Sequence, residues 1–287
     1  MKFAFIKEHL SAKFSMDVVC DVLEVSRSGY YAWLNRPQSK RSRRRQELAW
    51  KIQTVYQENR RVYGSPRVFE ALRARGERVC ENTVADIMKE REIRAKTKKK
   101  FVPVTTDSRH DQPVADNILN REFTSEMPNQ KWAVDITYIP TGEGWLYLAG
   151  VVDLCSRKIV GWSMAEHMWT DLVSDALKMA IARRCPGEGL LHHSDRGVQY
   201  ASEGYMHLLQ SHGIKASMSG KGNCWDNAAM ESFWATLKTE LVHHEDYATH
   251  EQARTSIFEY IEVFYNRKRL HSSLGYKSPE AFEASLN

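Results

Sequence analysis

The sequence predicts an α/β domain preceded by all-α helix-turn-helix units, and two observations support this. Residues 1–101 show helical patterns, whereas from Gln130 onwards short β-rich segments alternate with helices. The two parts also differ in charge. Residues 1–101 carry 24 Lys and Arg against 12 Asp and Glu, and the remainder carries 17 against 24. This division suggests a nucleic-acid-binding arm attached to a metal-binding catalytic domain.

The five cysteines are odd in number, lie far apart and form no CxxC pair. This pattern indicates a reducing compartment and argues against both disulfides and a Cys-based zinc site. The N-terminus lacks the apolar run of a signal peptide, and no stretch approaches 18 uninterrupted apolar residues. The sequence therefore predicts neither secretion nor a membrane span.

The first element, residues 15–34, is predicted as helix, short turn and helix, with the break at Ser26–Gly29. Two interpretations stay open for it: a second helix that enters a DNA groove, or a helical hairpin whose aromatic residues form a core. The basic run Lys40–Arg45 follows, with five positive charges in six residues. It is either a solvated linker or a phosphate contact. We assign residues 1–50 to this helical segment and its basic linker.

A second helix-turn-helix is predicted in residues 51–101. Ser65-Pro66 is a good helix start, Gly76 a stop, and Glu81 or Asn82 opens the next helix, which is followed by a run of Lys and Arg up to Lys100. Two such units, each flanked by a basic run, favour DNA binding. Residues 102–128 contain three prolines and little periodicity, and are predicted to be a linker.

The remaining elements follow in a diagnostic order. Strands are predicted over residues 132–139, 145–152 and 158–164, then a helix from Thr170, a strand over 190–193, a helix over 202–212, a strand over 214–218 and a helix containing Glu231. This is the order of a ribonuclease-H-like fold with a mixed five-stranded sheet, which we place at residues 129–245. Residues 246–287 are predicted as a helical, basic C-terminal tail.

Three carboxylates on three separate elements are the candidate metal ligands. Asp135 lies inside the strand WAVDITYI, against the β-propensity of Asp, and a half-buried charge there requires a partner or a metal. Asp195 ends the fourth strand, although a turn role is a fair alternative. Glu231 lies on the last core helix and shares one face with Asn227 and Lys238. A solvated helix edge is the alternative for that face. His192 and His193 are expected to neighbour the site without binding metal.

The segments WAVDITYI, HSDRGVQY, GNCWDNAAMESFWATLK and YNRKRLHSSLGYKSPEAF resemble the signature of DDE transposases of bacterial insertion sequences. The similarity is to the OrfB-type protein of the IS-three family, whose core is related to retroviral integrases. It implies that Asp135, Asp195 and Glu231 bind two Mg²⁺ or Mn²⁺ ions and catalyse cleavage and transfer of DNA strands. The N-terminal His/Cys module of the integrases is absent, so no zinc is expected.

The resemblance also implies partners and a location. Double-stranded DNA at the element ends and target is the expected ligand, with contacts from Lys238, Asn227, Lys221, Arg267 and Arg269. A homo-multimer, a separate upstream-frame protein and a bacterial cytoplasmic, nucleoid-associated location are expected as well. Two other classes stay open: a nuclease of the same fold that cuts without joining, and a non-catalytic DNA-binding regulator. The intact carboxylate set argues against the regulator.

Overall fold

The computed structural model describes residues 2–96, 115–220 and 227–286, and the chain forms two compact units, residues 1–51 and 52–287. The unit boundary falls inside one helix, because α4 runs from Lys40 to Glu58. The predicted divisions 129–245 and 246–287 fall within the second unit, and so does 51–101 from residue 52 onwards. The earlier helices are α1 (Lys2–Phe5), continued by a π-helical turn (Ile6–Leu10), α2 (Met16–Val22) and α3 (Arg27–Leu34).

The N-terminal unit has a small aromatic core. Ile6, Val19 and Tyr30 are buried together, and the Trp33 ring stacks on Tyr30 at 6.2 Å between centroids. Ser26 caps α3 by accepting a hydrogen bond from the Gly29 backbone N–H. Of the two interpretations of residues 15–34, the hairpin whose aromatic residues form a core describes this packing.

The interpretation of Lys40–Arg45 as a linker is wrong, since these residues form the first turns of α4. Ser39 caps the helix by accepting a 3.1 Å hydrogen bond from the Ser42 backbone N–H. Lys and Arg are good helix formers, and an i,i+4 ion pair between Glu47 and Lys51 at 2.8 Å adds local support. A dense basic run can therefore begin a helix when a capping residue such as Ser39 precedes it.

The second unit begins with the predicted helix-turn-helix. Helix α5 spans Ser65–Ala74 with Pro66 in its first turn, and α6 spans Glu81–Glu90. Gly76 follows α5 with φ at +80°, a conformation that glycine adopts without strain. The predicted start and stop signals are confirmed.

The catalytic part is a five-stranded mixed sheet in the order β3-β2-β1-β4-β5. Strands β1, β2 and β3 pair antiparallel, whereas β1, β4 and β5 pair parallel. The predicted ribonuclease-H-like order of strands and helices is confirmed. The bounds are β1 Lys131–Thr141, β2 Gly144–Asp153, β3 Ile159–Ala165, α7 Thr170–Arg184, β4 Leu191–Ser194, α8 Val198–Ala201, α9 Glu203–Ser211, β5 Lys215–Met218 and α10 Ala228–Glu240.

Helix α10 lies very close to the sheet at one point on β2. A Cβ added at Gly150 would stand 2.9 Å from the Trp234 ring and 3.2 Å from Met230. Gly150 is also the register partner of Asp135 on β1. The glycine thus lets α10 approach the strand that carries the first candidate carboxylate.

The C-terminal segment is an integral part of the fold, which corrects the expectation of a basic tail. Helix α11 (His250–Phe258) continues as a π-helical segment (Glu259–Tyr265), and α12 spans Pro279–Ala284. Ile257, Tyr260 and Ile261 are completely buried. The Asn266 side chain exchanges two hydrogen bonds of 2.9 Å with the backbone of Ile159 on the edge strand β3.

Within the described ranges, no helix is both long enough and apolar enough to cross a membrane.

Candidate active site

Parallel pairing of β1 and β4 brings the first two candidate carboxylates together. Ala133 pairs with His193, and each strand reaches its aspartate two residues later, at Asp135 and Asp195. Asp135 lies in the middle of β1 and Asp195 directly follows β4, so the register brings the two residues side by side at the point where the shorter strand ends. This alignment depends only on strand register.

The surroundings of Asp135 disfavour its ionised form. Its Oδ2 accepts a 3.0 Å hydrogen bond from Trp234 Nε1, which favours the ionised form. Burial and the charge of Asp195 nevertheless outweigh this bond and raise the pKa of Asp135 to about 8, with a smaller contribution from Glu231. The electrostatic influence of both other carboxylates on Asp135 shows that the three lie near one another.

Asp195 is oriented by the turn that follows β4. Its Oδ1 accepts a 2.9 Å hydrogen bond from the Gly197 backbone N–H, immediately before α8 begins at Val198. A Cβ at Gly197 would stand 3.0 Å from both Asp195 Oδ1 and Gln199 Oε1. The small residue therefore lets the turn close tightly around the carboxylate.

Glu231 lies on the first turn of α10 and is exposed, and partial burial raises its pKa. Among residues 2–96, 115–220 and 227–286, no group of three or more Asp, Glu, His or Cys side chains is arranged closely enough to hold a metal ion. The donor set nevertheless fits a hard divalent cation, because all three groups are carboxylates. Asp135 and Asp195 form the preassembled part of this set.

Lys238 lies two turns beyond Glu231, beside the same site. Its Nζ stands 4.8 Å from the centroid of the Tyr138 ring. Burial lowers the pKa of Lys238, and the charge of Asp135 acts in the opposite direction. The Trp145 ring packs edge-on against Tyr138 at 4.8 Å between centroids and is half exposed. A contact between Lys238 and DNA stays a prediction.

Asn227 is not placed as a DNA contact. It is only 6% exposed, and its Nδ2 donates a 3.0 Å hydrogen bond to the backbone carbonyl of Val134. Its Oδ1 is buried and has no hydrogen-bond partner among the described residues. The side chain therefore ties the start of α10 to the strand position next to Asp135, which is a positioning role.

Arg269 is likewise buried, at 4% exposure, and pairs with Glu240 at the end of α10. Its Nε and Nη2 donate to the Glu240 carboxylate at distances of 2.6 to 3.0 Å. Tyr260 donates a further hydrogen bond of 2.7 Å to the same carboxylate, and Arg67 of α5 approaches it to 3.5 Å. We call these four residues the Glu240 cluster. A guanidinium engaged in this way cannot reach a phosphate, so the expectation for Arg269 is wrong.

Arg267 and Lys221 are the two remaining predicted DNA contacts. Arg267 is exposed and lies 3.7 Å from Glu280, so it is accessible to DNA. Lys221 lies outside the described residues. The predictions for both stay predictions.

Sequence reasoning missed Trp234 as a residue of the site, because its position on the apolar stripe of α10 indicated a core residue. The available signal was chemical: a buried indole N–H needs an acceptor. The ring nitrogens of the two histidines contact hydroxyl groups of neighbouring side chains. His192 Nε2 is 2.9 Å from the Tyr205 hydroxyl, and His193 Nδ1 is 2.9 Å from Ser217 Oγ.

Comparison with known proteins identifies three matching regions. A family model described as an integrase core domain matches residues 125–224, and a second of the same description matches residues 212–279. A model described as an HTH-like domain matches residues 43–101. The integrase-core matches thus extend over most of the C-terminal segment.

Two relatives are similar over nearly the whole chain. The transposase InsF for insertion sequence IS3A of Escherichia coli (strain K12) is 45% identical, covering 99% of this chain and 98% of the relative. An uncharacterized 31 kDa protein of insertion element IS600 of Shigella sonnei is 46% identical, covering 92% and 97%. Among solved structures, the HTLV-2 integrase catalytic core domain in complex with magnesium is 17% identical, with a TM-score of 0.42 over 55% of this chain and 98% of that one.

Proposed function

The chain belongs to the integrase-core transposases of insertion sequences, and on that premise we propose that Asp135, Asp195 and Glu231 are the carboxylates with which it cleaves and joins DNA strands. The observation that carries the proposal is the parallel β1–β4 register, which aligns Asp135 with Asp195. The effect of Glu231 on the pKa of Asp135 supports the third member.

The three carboxylates would hold divalent metal, Mg²⁺ or Mn²⁺, and we propose two ions. Such ions stabilise the charge that develops on the attacking and leaving oxygens of a phosphodiester. Burial and the charge of Asp195 raise the pKa of Asp135, and a bound cation would offset both effects by stabilising the ionised carboxylate. Glu231, which lies exposed on the first turn of α10, would complete the set.

The protein's own side chains position these groups. Trp234 Nε1 fixes one oxygen of Asp135, and the Gly197 N–H fixes one oxygen of Asp195. Asn227 fixes the start of α10, three residues before it reaches Glu231, by its bond to the Val134 carbonyl. Lys238 would attract a phosphate of the bound strand from the same helix.

Two successive phosphoryl transfers account for cleavage and joining. Water attacks the phosphorus at the element's end, the P–O3′ bond breaks, and a 3′-hydroxyl is released. That hydroxyl then attacks a second phosphodiester, one P–O bond forms as another breaks, and no external energy source is needed. A single carboxylate site that holds the DNA strand can therefore serve both cleavage and joining.

We further propose that this chain acts in the bacterial cytoplasm as a homo-multimer, with an upstream-frame protein that supplies additional DNA recognition. The HTH-like match at residues 43–101 and the basic charge of residues 1–101 support sequence-tolerant DNA binding by this chain itself. Competition binding between end sequence and random duplex at physiological salt tests the partner. A thousandfold preference by this chain alone, typical of specific binders, would remove the need for it.

The decisive experiment incubates the full chain with labelled element-end duplex and Mg²⁺ and separates nicked from joined products. A transposase gives both, a nuclease of the same fold gives only nicks, and a DNA-binding regulator gives neither. Asp175→Asn is the matched control for the three carboxylate variants, because Asp175 is an exposed helix carboxylate paired with Lys178 on α7. Its activity should equal that of the wild type.

A further inference from the structure

The loop between β3 and α7 presents an aromatic pair whose outer ring is exposed. The rings of His167 and Trp169 stack with centroids 3.9 Å apart and planes 18° apart. Trp169 is 67% exposed, although tryptophan has the largest side chain of the twenty amino acids. Met168 beside it is 38% exposed. One π face of Trp169 is therefore taken by His167, while much of the remaining indole surface is open to solvent.

This loop follows the end of β3, on the side of the sheet where β4 also ends, directly before Asp195. Strands β3 and β1 are both antiparallel to β2, so they run in one direction and end on one side. Gln199 then connects the loop to Asp195. Its Nε2 donates a 2.8 Å hydrogen bond to the Met168 carbonyl, while its Oε1 and Asp195 Oδ1 both lie 3.0 Å from the Cβ position of Gly197.

A purely structural role does not account for the pair. A Trp that stabilises a core would bury its ring, and this one leaves two thirds of its surface in solvent. His167 Nδ1 is also buried without a hydrogen-bond partner among the described residues. Val198, the first residue of α8 and three positions after Asp195, is also half exposed. These features are typical of a surface that is completed by a ligand.

We propose that Trp169 stacks on an unpaired DNA base next to the phosphodiester held at Asp135 and Asp195. This rests on the proposed function. Every nucleobase has a π face, so such stacking suits an enzyme that must act on strands of varied sequence. Within a duplex both faces of a base are covered by its neighbours, and only a base that has left the stack can meet the indole. The base belongs either to the element end or to the target strand.

Binding measurements on the full chain test the pairing of ring and base. The affinity for duplex with an unpaired base beside the scissile phosphate is compared with the affinity for the same duplex lacking that base, with Ca²⁺ in place of Mg²⁺. Both duplexes are bound to the wild type and to Trp169→Leu. The comparison is made twice, once with the abasic position in the element-end duplex and once with it in the target duplex.

Stacking predicts that Trp169→Leu weakens binding of base-containing DNA by roughly five- to hundredfold and leaves abasic DNA unaffected. Trp169→Phe, which keeps a π face, should recover most of the loss. Phe258→Leu is the matched control. Phe258, at the end of α11, is also a half-exposed aromatic residue that packs against another ring, that of Trp162. It should bind all duplexes as the wild type does.

The arm that shows this dependence identifies the strand. Equal loss on base-containing and abasic DNA in both arms, or no loss in either, overturns the proposal. Nicking and joining of unmodified DNA by the wild type are measured in parallel, so failure of the proposed function appears there and not in the binding comparison.

Discussion

Helix α10 carries a carboxylate near each end, and the protein surrounds them in opposite ways. Glu231 on the first turn is exposed and lies near Asp135, whose pKa is raised to about 8 by burial and by the charge of Asp195. Glu240 on the last turn is 6% exposed and is held by Arg269 and Tyr260. Negative charge is offset by the protein's own cation at one end of the helix and left in excess at the other.

The difference separates structural charge from functional charge. A buried carboxylate that stabilises a fold needs hydrogen bonds and a countercharge within the chain, as Glu240 has. A carboxylate that binds a cation from solution must keep part of its charge free of such partners. One 13-residue helix therefore anchors the fold and serves the site.

Removing charge at the catalytic end should abolish activity and spare the fold. Asp135→Asn, Asp195→Asn and Glu231→Gln should each lower nicking and joining by about a thousandfold or more, because a metal ligand is lost at similar volume. Thermal unfolding of Asp135→Asn should not shift to lower temperature, since the neutral amide replaces a carboxyl group whose ionisation is disfavoured by burial and by Asp195. Retained cleavage in any variant would exclude that residue from the site.

Removing charge at the other end should do the reverse. Arg269→Met should lower the free energy of unfolding by about 3–5 kcal/mol, because it leaves Glu240 buried without its principal cation. The matched control is Arg267→Met, two residues earlier and exposed, which should change stability by about 0.5 kcal/mol or less. Urea unfolding measures both. Equal stabilities would show that the Glu240 cluster contributes nothing to the fold.

Mg²⁺ should stabilise the protein through the catalytic end alone, by about 2.7 kcal/mol at one hundred times its dissociation constant. Because the pKa of Asp135 is about 8, a proton competes with the metal below that pH. The Mg²⁺-induced rise in melting temperature should therefore be smaller at pH 6 than at pH 8 and absent in Asp135→Asn. A rise that is independent of pH would show that Asp135 binds metal without losing a proton.

Lys238 should give the smallest effect. If Lys238 contacts a phosphate, Lys238→Ala should weaken DNA binding uniformly across sequences. The slope of log K against log salt concentration should become shallower by roughly one. Titrations at several salt concentrations measure the slope. An unchanged slope would leave Lys238 with only its contact to the Tyr138 ring.

The same distinction explains what could be predicted from sequence. Asp135 was identifiable because a carboxylate inside a β-rich segment contradicts its local context. Arg269 was misassigned because a run of basic residues resembles a solvated face, and its partner Glu240 lies 29 residues away. Pairing at such distance depends on tertiary packing, which one sequence does not show. Asn227 was missed as a positioning residue for the same reason, since it bonds to Val134 across 93 residues.

The two hydrogen bonds between Asn266 and Ile159 have a consequence for solubility. Strand β3 is an outer strand of the sheet, and an outer strand offers unpaired backbone groups to any other extended chain. The primary amide of Asn266 resembles a peptide group and occupies the N–H and C=O of Ile159 as one residue of a further strand would. A fragment that ends before α11, cut to isolate the catalytic part, would lose this cover and present β3 for edge-to-edge aggregation.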